Sequence, residues 1–242
     1  MTIRDDKGEN ALPAAGVVHF WRIRLDGAID SDVERQVLSA DELDRADRYH
    51  FVRDRDRYIR SHFALRSILA RYAGSNSGRL AFEIGEFGKP RLRTDEGVRP
   101  VEFNLSHSGD WAVIALAAQP VGVDVERWDA GVECLDLATH YFSPAERSDL
   151  GKLAAGTELM EGFFQAWSRK EAYLKATGSG ISDGLHHFDV SIVPGEAAVL
   201  LADRLQPEAP SRWSMASMDV AEGYSAAVVV AGPLVRVELF DF

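Results

Sequence analysis

Cysteine is almost absent from this chain of 242 residues, where Cys134 stands alone. A single thiol excludes an internal disulfide and a zinc site built on cysteines, and it suits a reducing compartment. Basic charge is also short, with 27 Lys and Arg against 38 Asp and Glu and a formal net charge of −11. A surface of that sign argues against nucleic acid or an anionic membrane as the main partner. No apolar run approaches the roughly 18 residues that a membrane span needs. The polar start, with Asp5, Asp6, Lys7, Gly8, Glu9 and Asn10 in a row, lacks the apolar core of a secretory signal. The expectation is a cytoplasmic protein whose residues 1–15 are partly disordered. Two catalytic motifs are missing as well: there is no G-x-x-x-x-G-K-[ST] phosphate loop and no G-x-S-x-G nucleophile elbow.

What the chain does have is an ordinary globular composition, 46% apolar and 27% charged, enough for one large or two small domains. Its most informative stretch is Trp167-Ser168-Arg169-Lys170-Glu171-Ala172-Tyr173-Leu174-Lys175. Phe163, Trp167, Glu171 and Lys175 recur every four residues and so stack on one face of a helix expected over Glu161 to Ala176. A carboxylate and an ammonium therefore continue a line of aromatics. Upstream, Val121-Gly122-Val123-Asp124-Val125-Glu126 alternates strictly, which marks a strand with the valines on one face and Gly122, Asp124 and Glu126 on the other. Two carboxylates roughly 6 to 7 Å apart at the backbone repel unless they are solvated or share a cation, and oxygen ligands suit a hard ion such as Mg²⁺.

Together these stretches resemble the paired motif of the phosphopantetheinyl transferases, specifically the larger monomeric surfactin-synthetase-type group. Phe87-Gly88-Lys89-Pro90, Phe103-Asn104-Leu105-Ser106-His107-Ser108 and Phe142-Ser143-Pro144-Ala145-Glu146 fit that family in its order. The resemblance implies an enzyme that moves the phosphopantetheinyl arm of coenzyme A to a serine of an acyl, peptidyl or aryl carrier protein and releases adenosine 3',5'-bisphosphate. It implies Mg²⁺, with Mn²⁺ as the alternative ion, on Asp124, Glu126 and Glu171. Coenzyme A would be held by Arg57, Lys89, Pro90, Ser106, His107 and Lys175. Glu171 and Lys175 would be the catalytic pair, with Glu171 accepting the serine proton either directly or through a metal-bound water. Three carboxylates around a divalent ion leave a charge of −1, so Lys175, Lys89, Arg57 and His107 supply the cations that phosphates need. Another Mg²⁺-dependent phosphoryl transferase and a non-catalytic coenzyme A or carrier-protein binder are the competing readings. The missing phosphate loop opposes the first, and the intact acidic set opposes the second.

The fold expected is α+β, two similar halves related by a pseudo-two-fold axis, each with a helix on a small, mostly antiparallel sheet. Residues 16–118 would form the half that contacts the nucleotide, and residues 121–242 the half with the metal and catalytic helix. A weak repeat supports this: Gly109, Trp111, the apolar run Ala112 to Ala117, Pro120 and then Val121, Val123 and Val125 match Gly223, Tyr224, Ala226 to Ala231, Pro233 and then Val235 and Val237. Each block follows a helix closed by glycine, at Gly74 and Gly178. Ser39 with Glu42, and Ser143 with Pro144 and Glu146, read as helix starts. Adjacent Ser106 and His107 face opposite ways on a strand, which opposes a serine-hydrolase pair. Leu135, Leu137, Tyr141 and Phe142, in the span from Cys134 to Leu153, are the apolar candidates for carrier-protein docking.

Overall fold

The computed structural model describes residues 11–27, 31–85, 88–94, 100–179 and 184–242; expectations for residues 1–10, Asp30, Phe87 and Gly180 lie outside them. In chain order the elements are β1 (Val17–Arg24), α1 (Ser31–Arg35), α2 (Ala40–Ala46), α3 (Val52–Ala73), β2 (Phe82–Ile84), β3 (Pro90–Leu92), β4 (Glu102–Ser108) and β5 (Trp111–Ala117). There follow β6 (Val121–Arg127), α4 (Cys134–Tyr141), α5 (Pro144–Leu150), α6 (Thr157–Thr177), β7 (Phe188–Val190), β8 (Leu200–Asp203), α7 (Ala209–Arg212), β9 (Trp213–Met218), β10 (Tyr224–Ala231) and β11 (Arg236–Asp241).

A strand, a long helix and a hairpin occur twice. In the first pass β1 pairs antiparallel with β5 and β5 with β4; in the second β6 pairs antiparallel with β10 and β10 with β9. The long helix of each pass, α3 or α6, ends on a left-handed glycine, Gly74 at φ 66° and Gly178 at φ 72°, where a side chain would be strained. Alternation builds the layers. Val18, Phe20, Val113 and Ala115 face inward from one sheet against Val121, Val123, Val125, Val228 and Val230 from the other. On the outer faces, Leu65, Ile68, Leu69 and Tyr72 of α3 cover Trp21, Ile114 and Leu116, while Phe163, Phe164, Ala172, Tyr173 and Ala176 of α6 cover Ala227 and Val229. The chain is thus a helix, two sheets and a helix in four layers.

Several details differ from the sequence expectation. The last strand does not close the C-terminal half: β11 lies parallel to β1 in the sheet ordered β11-β1-β5-β4, because its Leu239 and Phe240 fill the edge of that core. Three of the four docking candidates, Leu135, Leu137 and Tyr141, lie on α4. The long helices start earlier than their apolar patterns do, at Val52 and Thr157, because the first turns are polar and exposed. Of the four apolar docking candidates, Phe142 is buried and Leu137 packs on the α6 core, whereas Leu135 and Tyr141 are exposed.

Both expected helix starts form as reciprocal capping boxes, Ser39 with Glu42 and Ser143 with Glu146. The second does more than start a helix. Glu146 Oε2 accepts from the Ser143 amide at 2.9 Å, and Oε1 accepts from the Val190 amide at 2.8 Å and pairs with Lys170 Nζ at 2.8 Å. Lys170, fully buried on α6, also donates to the carbonyls of Leu185 at 2.7 Å and Phe188 at 2.5 Å. One ion pair thus ties α5, α6 and β7, and it fixes the rotation of α6 from the side opposite its acidic face. Removing one member strands a buried charge, so Lys170→Met should cost about 3 to 5 kcal/mol. The check is urea denaturation. Pairing Lys170→Met with Glu146→Leu should recover much of that loss, and a single substitution without effect would contradict the role.

Candidate active site

The acidic face of β6 meets the charged end of α6 because of a glycine. A Cβ on Gly122 would lie 2.1 Å from the Ala172 carbonyl oxygen and 2.3 Å from the Ala176 nitrogen, so the helix crosses the strand with no side chain between them. That approach sets Lys175, one residue before Ala176, against Asp124, two residues after Gly122. Lys175 Nζ stands 2.6 Å from Asp124 Oδ1 and 3.1 Å from Ser106 Oγ, and Ser106 Oγ donates to the same Asp124 oxygen at 2.8 Å. Lys175 thus meets a carboxylate on β6 rather than one on its own helix.

β4 supplies the other side. It runs beside β6 but in a different sheet, and side chains take the place of a backbone ladder. Asn104 Oδ1 accepts from the Val123 amide at 2.8 Å, Ser106 donates to Asp124, and Ser108 Oγ donates to Glu126 Oε2 at 3.0 Å. Every second residue of β4 therefore answers β6. Asn104 and Ser108 were not singled out from sequence, although the strand period carrying Ser106 carries them too.

Burial without matching positive charge shifts the carboxylates. Asp124 is 2% exposed, and burial raises its pKa against the pull of Lys175 and Ser106. Its second oxygen, Oδ2, is buried with no hydrogen-bond partner. Burial, then the Asp124 charge, pushes Glu126 up to about 7 and also raises Glu171. An orphaned carboxylate oxygen beside two carboxylates held toward neutrality is a site short of a cation, and an all-oxygen donor set fits a hard divalent ion. Among the described residues no group of three such side chains already encloses a metal position. Lys175 provides the positive charge at Asp124 instead.

Two cavities flank this cluster. One, of about 380 Å³, is lined by Lys89, Glu171, Leu174, Lys175 and Ser179. The other, of about 570 Å³, is lined by Arg45, Tyr49, Tyr58, His62, Phe82 and His107. Gly88, Pro90, Asn104 and Leu105 border both, so the two make one groove. Lys89 reaches back to the Val121 carbonyl at 2.8 Å, and burial lowers its pKa. His107 is likewise lowered, by burial and then by Lys175 and Arg45. Ser106 is on neither cavity wall and is committed to Asp124 and Lys175. Arg57 also lies off both walls, ion-paired with Asp110 and close to Asp54. Arg45, Tyr49 and His62 form the wall instead; Arg45 stood undistinguished among the arginines of its stretch, and periodicity alone could not separate it from them.

Residues 120–229 match the family model of the 4'-phosphopantetheinyl transferase superfamily, and residues 30–119 match that of the 4'-phosphopantetheinyl transferase N-terminal region. The chain is similar to 4'-phosphopantetheinyl transferase HetI of Nostoc sp., with 36% identity over 229 residues covering 93% of this chain and 92% of the relative. It is 34% identical to 4'-phosphopantetheinyl transferase psf-1 of Bacillus pumilus, over 88% of this chain and 90% of that one. Against 4'-phosphopantetheinyl transferase Sfp of Bacillus subtilis the identity is 30%, over 81% and 83%.

The raised carboxylates make stability depend on pH with a definite sign. Glu126 holds its proton to about 7 in the folded chain against 4.5 ordinarily. Its contribution is thus full below 4.5 and is lost as pH rises through about 7. Glu126→Gln should therefore gain stability over the parent across that window when thermal unfolding is followed without metal. Added Mg²⁺ should stabilise the parent most at the upper end. Parallel curves for the two proteins would contradict the assignment.

Proposed function

Because this chain belongs to the 4'-phosphopantetheinyl transferase superfamily, we propose that it transfers the phosphopantetheinyl arm of coenzyme A to a serine hydroxyl of an acyl, peptidyl or aryl carrier protein, with a divalent ion, and releases adenosine 3',5'-bisphosphate. The observation that carries this reading is the buried, partnerless Oδ2 of Asp124, whose other oxygen meets Lys175 on the wall of a groove also lined by Lys89 and Glu171. Asp124, Glu126 and Glu171 would hold Mg²⁺ or Mn²⁺. When bound, that ion supplies charge neutralisation on the pyrophosphate.

The chain's own residues do the rest. Lys89 and Lys175 bring positive charge to the phosphates from two sides of the smaller cavity, and Pro90 holds the Lys89 backbone extended. His107 and Arg45 serve the nucleotide end in the larger cavity. The serine oxygen forms a bond to the β-phosphorus of coenzyme A as the bond from that phosphorus to the bridging oxygen of the bisphosphate breaks. The serine proton passes to Glu171. Ser106 and Ser108 keep Asp124 and Glu126 aimed by donating one hydrogen bond to each.

Carrier protein would approach over Leu135 and Tyr141, which are 48% and 40% exposed. The Tyr141 ring stands edge-on to Trp167 at 5.3 Å, and Trp167 is one helical turn before Glu171. The enzyme would act as a monomer in the cytoplasm. No helix among the described residues is long and apolar enough to cross a membrane.

Asp124→Asn and Glu171→Gln should each abolish transfer and leave the fold intact, since each removes a charge with little change in volume. Mass spectrometry of an apo carrier protein incubated with coenzyme A and Mg²⁺ measures this directly. Near-normal turnover by either variant would overturn the site. Leu135→Ser with Tyr141→Ser should raise KM for carrier protein and leave KM for coenzyme A alone. Salt raised to about 0.5 M, where the Debye length is roughly 4 Å, should change the parent's carrier KM only modestly. A rise of about a hundredfold would move docking to the basic stretch from Arg45 to Arg60, since salt screens charges alone.

A further inference from the structure

His62 has a fixed tautomer and an open acceptor on the wall of the larger cavity. Its ring stacks on Tyr58, one helical turn earlier in α3, with centroids 3.9 Å apart and planes at 28°. Nδ1 stands 3.0 Å from the Tyr58 carbonyl oxygen and 3.3 Å from Ser61 Oγ, and the Ser61 hydroxyl donates to that same carbonyl at 2.9 Å. A carbonyl oxygen can only accept, so Nδ1 carries the proton. In a neutral imidazole Nε2 is then an acceptor and nothing else.

Nε2 makes no hydrogen bond to the described residues, and it is not among the buried atoms sealed from solvent without a partner. It therefore opens on the space that His62 borders, which is the cavity of about 570 Å³. The ring stays neutral there, because burial lowers its pKa to about 4. The surrounding wall carries Tyr58, Leu65, Phe82 and Leu105, with Arg45 and Arg66 as cations and Asp41 and Glu42 as carboxylates. Glu42 Oε2 is engaged by Ser39 and Arg66, whereas His62 Nε2 is not engaged.

We propose that His62 is a specificity-determining residue that reads the purine of the nucleotide, its Nε2 accepting a hydrogen bond from the exocyclic 6-amino group of adenine. This deepens the transferase reading and rests on it. A neutral imidazole acceptor on that wall takes an aminopurine and disfavours a 6-oxopurine, which would set an oxygen lone pair against the nitrogen lone pair.

The test is steady-state transfer to an apo carrier protein from coenzyme A and from its analogue with hypoxanthine in place of adenine. The parent enzyme should prefer coenzyme A through KM. His62→Phe keeps the stack on Tyr58 but removes the acceptor; it should raise KM for coenzyme A about two- to tenfold, as loss of one neutral hydrogen bond predicts, and bring the two substrates close to equal. His62→Gln, whose Oε1 can accept, should retain part of the preference. An unchanged preference in His62→Phe, or an equal rise of both KM values, would overturn the proposal by reducing His62 to a packing residue. So would a preference that disappears only with a 2'-deoxyribose analogue, since Nε2 would then serve a sugar hydroxyl. Thermal unfolding of both variants shows whether α3 remains intact. If the parent transfers from neither substrate, the transferase reading itself fails, an outcome distinct from any of these.

Discussion

Everything at this site depends on a helix lying directly on a strand. With Gly122 beneath Ala172 and Ala176, the backbone of α6 comes within van der Waals reach of β6, closer than any side chain would allow. The same helix is held from its far side by the buried Lys170 and Glu146 pair. Position and rotation of α6 are therefore both set by groups that never meet substrate. Glu171 and Lys175 inherit their places from that constraint.

The second determinant is the meeting of β4 and β6. These strands belong to different sheets, yet Asn104, Ser106 and Ser108 stitch one to the other at a spacing of two residues. A backbone ladder there would have left no hydroxyls for Asp124 and Glu126. Opening the seam gives each carboxylate one donor and leaves Asp124 Oδ2 without any. In a low-dielectric setting such an oxygen costs free energy until a cation reaches it. The protein limits that cost by two routes, the contact with Lys175 and the raised pKa values of its neighbours.

Much of this was legible in the residues themselves. Strict alternation placed Asp124 and Glu126 on one face of β6, and the four-residue recurrence placed Glu171 and Lys175 on one face of α6. The faint repeat around Gly109 and Gly223 marks the two hairpins, whose turns both carry a glycine with positive φ. Other features could not be read. β11 is locally indistinguishable from a strand of either half, and only its tertiary fit to β1 assigns it. Lys170 sat in a run of charged residues, and its burial follows from carbonyls at Leu185 and Phe188 that no local pattern announces. Resemblance points to Arg57, while the cavity wall is formed by Arg45 of α2 and Arg57 of α3 is ion-paired with Asp110; only the packing of the two helices decides this. Gly122 shares the face of Asp124 and Glu126, and the space it leaves there is filled by α6.

The central claim is that the close crossing over Gly122 creates the active geometry, and kcat for phosphopantetheinyl transfer by Gly122→Ala tests it most directly. One methyl group must push α6 away from Asp124, and misplacement of about 1 Å can lower kcat about a hundredfold. KM for coenzyme A should change far less, because the larger cavity is walled by α3 and β4. A Gly122→Ala enzyme that stays folded and turns over at the parental kcat would contradict the account.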